Sequence, residues 1–231
     1  MGEAASVLVV DDDVTVRDVV RRYLELAGHR VALADNGEDA LRWAAEHRPD
    51  LVVLDLMLPG IDGLEVCRRL RAGTEVAVVM LTALGEEENR IAGLQLGADD
   101  YVTKPFSPRE LALRVSSVLR RSRAAPVVAA EVADGGLVLD PAARRVLLGG
   151  VEQSLTTREF DLLLFLMNHP GEAFTREQLL DRVWGWNFGD QSTVTVHVRR
   201  LREKVEELPA KPTRIVTVWG VGYRYDPVGA R

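Results

Sequence analysis

Short unbroken apolar runs lie near residues 7–11, 30–34, 51–55, 76–81 and 100–103, and between them apolar positions recur every three or four residues. The runs predict strands covered on both faces, and the wider spacing predicts amphipathic helices near 13–27, 37–47, 63–71, 87–96 and 108–121. In the first helix Val16, Val19, Val20, Tyr23, Leu24 and Ala27 share one face, and Gly28 then supplies a C-cap. Five such strand–helix repeats predict an α/β architecture, a five-stranded parallel doubly wound sheet with helices on both faces.

The pattern changes after residue 121. The stretch from Arg121 to Ala130 has no period and contains Pro126, which marks a linker over 122–131 between a first domain at 1–121 and a second at 132–231. The second domain opens with short β-like pieces set off by Asp134-Gly135-Gly136, Asp140-Pro141 and Gly149-Gly150. Helical patterns follow near 157–168, 175–183 and 191–206, and runs at Arg214 to Val218 and Tyr223 to Tyr225 flank Trp219-Gly220-Val221-Gly222 as a hairpin. Three helices closed by a hairpin predict an α+β winged helix-turn-helix domain.

At 231 residues and 47% hydrophobic content the chain can fill two ordinary cores. No apolar run approaches a membrane span, and Met1 to Ser6 lack the cationic and apolar regions of a secretion signal, so a cytoplasmic protein with no membrane partner is expected. The single cysteine, Cys67, falls in a helical pattern and reads as a buried apolar residue. The net charge of −6 is uneven: 16 basic against 21 acidic residues through Arg123, then 13 against 14. Within Ser192 to Arg214 six basic residues outnumber three acidic ones, a local positive region suited to nucleic acid.

Polar residues close the strand-like runs: Asp11 and Asp12 after the first, Asp55 after the third, Thr82 after the fourth and Lys104 after the fifth. A parallel sheet gathers these ends on one edge, where open α/β folds place their sites. Helix capping explains Asp13 well, but neither two adjacent acids before it nor a lysine at a strand end. Clustered carboxylates repel and call for a cation, and hard oxygen ligands suit Mg²⁺. With Lys104 as a point cation and Thr82 as a hydroxyl donor, the set implies an aspartyl phosphate on Asp55. A phosphatase using the same intermediate is the enzyme-class alternative. Such enzymes carry a second acid two residues after the nucleophile, where this chain has Met57.

In the last helical pattern Val194, Val198, Leu201 and Val205 form a core stripe, and Thr193, His197, Arg200 and Lys204 lie one residue round from it. The second set is expected to face outward into a major groove, flanked by Thr195, Arg199, Arg202 and Glu206. Arg200 is the candidate base reader, with Arg199, Arg202 and Lys204 as phosphate contacts and Thr193 and His197 at shorter range. A solvated charged helix is the plainer alternative.

Val9-Val10-Asp11-Asp12, Leu54-Asp55-Leu56-Met57-Leu58-Pro59-Gly60, Leu81-Thr82-Ala83 and Gly97 to Phe106 together resemble a response regulator of two-component signalling, of the OmpR/PhoB type. The second half resembles the output domain of that family through Leu155 to Phe160, Leu179 to Trp184, Val194 to Arg202 and Gly220 to Tyr225. The resemblance implies a flavodoxin-like receiver and a phosphorylation-controlled transcriptional regulator rather than an enzyme. It implies a sensor histidine kinase, double-stranded promoter DNA and RNA polymerase as partners. It also implies Asp55 as phosphoacceptor, Asp11, Asp12, Asp55 and the Met57 carbonyl as Mg²⁺ ligands, Lys104 as phosphate contact, and a cis Lys104–Pro105 bond.

For switching, the resemblance pairs Thr82 with Tyr101. It further implies a homodimer on phosphorylation, through Arg90, Asp99, Asp100, Glu110, Arg114 and Arg121, with pairs such as Arg90–Glu110 and Asp100–Arg114 between chains. On the hairpin it brings Tyr223 and Arg224 to DNA. One departure is Trp219, which stands where several relatives carry an arginine and so argues against a charge contact there.

Overall fold

A computed structural model of the protein describes residues 4–73, 76–83, 93, 96–122, 130–186 and 191–228. The chain forms two compact units, residues 1–123 and 124–231. Most of the expected 122–131 linker, and most of the helical pattern at 87–96, lie outside the described residues.

The first unit runs β1 (Ser6–Val10), α1 (Val14–Leu26), β2 (Arg30–Ala34), α2 (Gly37–His47), β3 (Leu51–Asp55), α3 (Gly63–Gly73), β4 (Ala77–Ala83), β5 (Asp100–Lys104) and α4 (Pro108–Ser122). The strands make one parallel sheet ordered β2-β1-β3-β4-β5. β3 is buried at every residue, as a strand covered on both faces must be, and β2 at the edge buries only Ala34. Each Val or Leu so buried contributes ~1.5–3 kcal/mol. Asp13 caps α1, accepting from Thr15 N at 2.7 Å and Val16 N at 3.4 Å, and Gly28 leaves the helix at φ 88°.

The second unit opens with an antiparallel sheet of β6 (Val132–Asp134), β7 (Leu137–Asp140), β8 (Arg145–Leu148) and β9 (Val151–Glu152). Then come α5 (Thr157–Met167), β10 (Ala173–Thr175), α6 (Arg176–Leu179), α7 (Ser192–Val205), β11 (Ile215–Val218) and β12 (Gly222–Tyr225). The helix expected at 175–183 is in fact divided. After α6 the chain widens into a π-turn at Leu180–Trp184, which turns Leu180, Val183 and Trp184 into the core before Gly185 ends it at φ 85°. β10, β12 and β11 form the closing three-stranded sheet, and Trp219, Gly220 and Val221 make the turn of its hairpin.

Candidate functional site

The carboxyl ends of β1 and β3 bring Asp11, Asp12 and Asp55 together, one ligand oxygen from each lying within 4.8 Å of the others. Asp11 and Asp55 are buried and Asp12 is exposed. Lys104, at the end of β5, joins the two buried acids through Nζ, 2.8 Å from Asp11 Oδ2 and 2.9 Å from Asp55 Oδ2. The Lys104–Pro105 bond is cis.

Burial raises the Asp55 pKa above the ordinary carboxylate value, against the pull of Lys104, and nearby Asp11 adds to the rise. Burial of the Lys104 ammonium works to lower its pKa, but the bonds to Asp11 and Asp55 prevail and the net shift is upward. The Met57 side chain is exposed, and its backbone N–H donates to Asp55. Three carboxylate oxygens within 4.8 Å of one another, two of them bonded to one ammonium, form a donor set that fits a hard divalent cation.

Thr82 is buried and, among the described residues, its hydroxyl makes a long 3.4 Å hydrogen bond to the Ala83 carbonyl. It pairs across the sheet with Thr103, and Tyr101 pairs with Met80, so Thr82 and Tyr101 are diagonal neighbours on one face. Tyr101 is also buried.

Asp99, Asp100 and Arg114 depart from expectation. All three are buried: Asp99 accepts from Arg71 Nη2 at 2.7 Å and from Val78 N at 2.8 Å. Arg114 reaches Asp100 at 2.9 Å and Glu110 at 2.9 Å within the same chain. The reason is local, since Glu110 and Arg114 stand four residues apart on α4 and that face lies against β5. A dimer through this face must therefore exchange bonds already made. Arg90 lies outside the described residues, as does the side chain of Arg121.

The largest correction falls on α7. Thr193 and His197, expected on the outer face, are buried; His197 Nδ1 bonds the Thr193 carbonyl at 2.8 Å and its ring meets Trp184 edge-on at 5.1 Å. Arg200 is 12% exposed and its Nε sits 2.8 Å from Glu159 Oε1, while Lys204 Nζ lies 2.6 Å from Glu159 Oε2. At 100° per residue the buried arc spans about 200°, too wide for the single narrow stripe assumed from the valines. What faces solvent is Thr195, Arg199 and Glu203, with Arg202 half-buried beside them.

Glu159 is fully buried; burial would raise its pKa, yet Arg200 and Lys204 hold it below the ordinary value. Arg202 leans on the hairpin, donating to the Ile215 carbonyl at 2.9 Å and Thr217 Oγ1 at 2.8 Å. Tyr223 is buried rather than presented, its hydroxyl 3.4 Å from Thr195 Oγ1, and Arg224 is paired with Asp226.

Arg176 was missed by the sequence reading. From the start of α6 it donates to Thr195 Oγ1 at 3.1 Å and stacks over the Tyr223 ring at 5.0 Å. Its only sequence signal is its place inside the Thr175-Arg176-Glu177-Gln178 capping box. The box Thr156-x-x-Glu159 is legible in the same way, but the two ion pairs of Glu159 are not.

Residues 7–116 match the family of response regulator receiver domains, and residues 150–225 match the family described as transcriptional regulatory protein, C terminal. The chain is 45% identical over 232 residues to the transcriptional regulatory protein ResD of Bacillus subtilis, covering 97% of this chain and 96% of that one. It is 47% identical over 223 residues to AfsQ1 of Streptomyces coelicolor, covering 96% and 98%. Among solved structures it resembles DrrB, a Thermotoga maritima OmpR/PhoB homologue, at 36% identity and a TM-score of 0.53, covering 97% and 100%. A mutant of RitR gives 26% identity and a TM-score of 0.75 over the same shares.

Proposed function

Because the chain belongs to the OmpR/PhoB family of response regulators, phosphorylation-controlled regulators of transcription, we propose that Asp55 is its phosphoacceptor and that the exposed face of α7 reads promoter DNA. The observation that carries this reading is the convergence of Asp11, Asp12 and Asp55 on one edge, with Lys104 bonded to two of them.

Asp11, Asp12, Asp55 and the Met57 carbonyl would hold Mg²⁺. When bound it offsets the charge of the carboxylates and of the incoming phosphoryl oxygens. The Asp55 carboxylate oxygen forms the new O–P bond as the P–N bond of a kinase phosphohistidine breaks, the electron pair staying with the departing imidazole. Lys104 then turns from its carboxylate partners toward the phosphoryl group, and water later hydrolyses the acyl phosphate slowly.

Thr82 moves toward the new phosphoryl oxygens and Tyr101, its diagonal neighbour, shifts with it. That change reaches the β5–α4 face, where Asp99, Asp100, Glu110 and Arg114 support a receiver homodimer, with Arg90 and Arg121 added by the family resemblance alone. In the output domain Thr195 and Arg199 approach base edges and phosphates, Arg176 and Arg202 add positive charge, and RNA polymerase is the downstream partner.

The test is incubation of the full chain with acetyl phosphate and Mg²⁺, followed by peptide mass spectrometry, sedimentation and DNA-binding titration. A phosphoryl adduct on the Asp55 peptide, a heavier species and tighter DNA binding are expected, all lost in Asp55→Ala. Folded protein that acquires no adduct at Asp55 overturns the reading, and rapid turnover of small phosphoesters favours the phosphatase alternative.

A further inference from the structure

β2 ends the parallel sheet, and among the described residues only β1 pairs with it. Arg30 N donates to the Ala5 carbonyl at 2.8 Å, and the Ala34 carbonyl accepts from Asp11 N at 3.3 Å. Residues 30, 32 and 34 therefore turn their backbone groups toward β1. By the alternation of a strand, Val31 and Leu33 turn theirs outward, along the edge away from β1. Val31 to Ala34 carry no charge and no proline, two of the devices that keep such an edge from accepting a second strand.

The two ends of this edge are oppositely charged. Beside its start lies a groove lined by Arg30, His47 and Arg48 with one acid, Asp50. Beside its end a second groove is lined by Asp35, Asp39 and Glu46. Two guanidiniums also line the second groove, but both are engaged, Arg42 on Asp39 and Arg17 on the Asp11 carbonyl. Trp43 of α2, stacked on His47 at 4.5 Å, lines both grooves, and with Ala32 and Leu33 it makes the middle apolar. An order of basic, apolar and acidic is its own complement when reversed. A surface of that kind fits a second copy turned about a two-fold axis, which brings each basic end against the other's acidic end.

We propose that the free edge of β2 is a self-association surface, on which two receivers pair antiparallel about Ala32 into one continuous sheet. The outward residues fix the register. Setting Val31 of one copy opposite Leu33 of the other engages both outward residues of each strand; Ala32 then meets its own counterpart, and Arg30 lies opposite Ala34, at the acidic groove. β2 and β5 stand at opposite ends of the sheet, so a chain joined at both edges would extend a row rather than close a pair. That consequence rests on the β5–α4 pair given above. The β2 contact stands without it and needs no phosphoryl group.

The test uses the full unphosphorylated chain in EDTA. Ala32→Cys under mild oxidation should give a disulfide-linked dimer, because opposed residues of a non-hydrogen-bonded pair stand about 4.5 Å apart at Cα, within disulfide range. Arg30→Cys should not, since its two copies are offset by four residues, about 13 Å along the strand. The wild type, whose Cys67 is buried, gives the background. In sedimentation at low salt, Arg30→Glu should raise the dimer dissociation constant about tenfold or more, and the double variant Arg30→Glu/Asp35→Arg should restore it. Melting temperatures establish that each variant is folded. Equal linking of the two cysteine variants, or none in either, overturns the pairing; the second is also the result expected of an edge that takes an extended segment of another protein. Association untouched by Arg30→Glu in folded protein overturns it as well. Every arm is run without a phosphoryl donor, so a failure here leaves the Asp55 reading standing, and a missing Asp55 adduct leaves the β2 contact standing.

Discussion

Glu159→Gln tests how far the output helix is held by its own domain. The wild-type carboxylate is fully buried and serves two cations, Arg200 at 2.8 Å and Lys204 at 2.6 Å, while its Oε2 also accepts from Thr156 N at 2.8 Å in the capping box. Glutamine keeps an acceptor for Thr156, so the cap survives and the change isolates the charge. Removing one partner of a buried pair costs ~3–5 kcal/mol, but solvent reaches Lys204, which is 27% exposed, so about 2–3 kcal/mol is expected here. In urea this lowers the unfolding midpoint by about 1–2 M, read from the fluorescence of buried Trp184 and Trp186.

The pH dependence has a definite sign. The folded-state pKa of Glu159 is depressed, so its contribution is complete above the unfolded value near 4.5 and is lost as pH falls through the folded value. The gap between wild type and variant should therefore be full at neutral pH and close on acidification below that value. The variant also releases two cations, which should tighten DNA binding at low salt and steepen the salt slope by up to about 1.8. Equal midpoints at neutral pH, or a gap that widens on acidification, would refute the reasoning.

Mg²⁺ at ten times its dissociation constant should raise receiver stability by about 1.4 kcal/mol, seen as a higher melting temperature than in EDTA; Asp12→Asn should reduce the gain, and equal gains would count against the site. Gly63 has no room for a Cβ against the Asp55 carbonyl and the Leu56 backbone, so Gly63→Ala should cost roughly 1–3 kcal/mol and slow acetyl phosphate labelling of Asp55; unchanged labelling and stability would contradict this. Arg176→Ala removes a ring contact of about 0.5–1 kcal/mol and one cation near DNA. It should weaken binding several-fold with a slope shallower by about 0.9, and an unaltered slope would exclude it from the interface.

The receiver edge was legible because each candidate follows directly on an apolar run, and strand ends in a parallel sheet have one destination. Asp11, Asp55 and Lys104 are brought together on that rule alone. The β5–α4 face was less legible. Periodicity put Glu110 and Arg114 on one side of a helix but could not tell solvent from an acidic strand, and Asp100 lies within reach of the same guanidinium. The orientation of α7 failed for a related reason. Counting only Val, Leu and Ile makes the buried side narrow, whereas His197 is buried through an aromatic contact and Arg200 and Lys204 through an acid 41 and 45 residues earlier. Long-range ion pairs leave no local periodicity.

These pairings change what a charge count means for DNA binding. Of the six basic residues between Ser192 and Arg214, Arg200 and Lys204 are occupied by Glu159, Arg214 is buried against the Gly135 carbonyl at 2.8 Å, and Lys211 lies beyond the end of α7 in the loop before β11. Arg199 meets Glu203 at 3.3 Å, but both side chains are more than half exposed, and such a pair, worth about 0–1 kcal/mol, yields readily to a phosphate. Arg202 is partly desolvated, which lowers its pKa and favours an incoming anion. With Arg176 added from α6, three cations face the ligand from α6 and α7. A salt slope near −2.7 per output domain then follows, against about −5.4 if all six basic residues took part. Fewer charges leave more of the discrimination to uncharged groups, and Thr195 is an exposed one bonded to that face through Arg176.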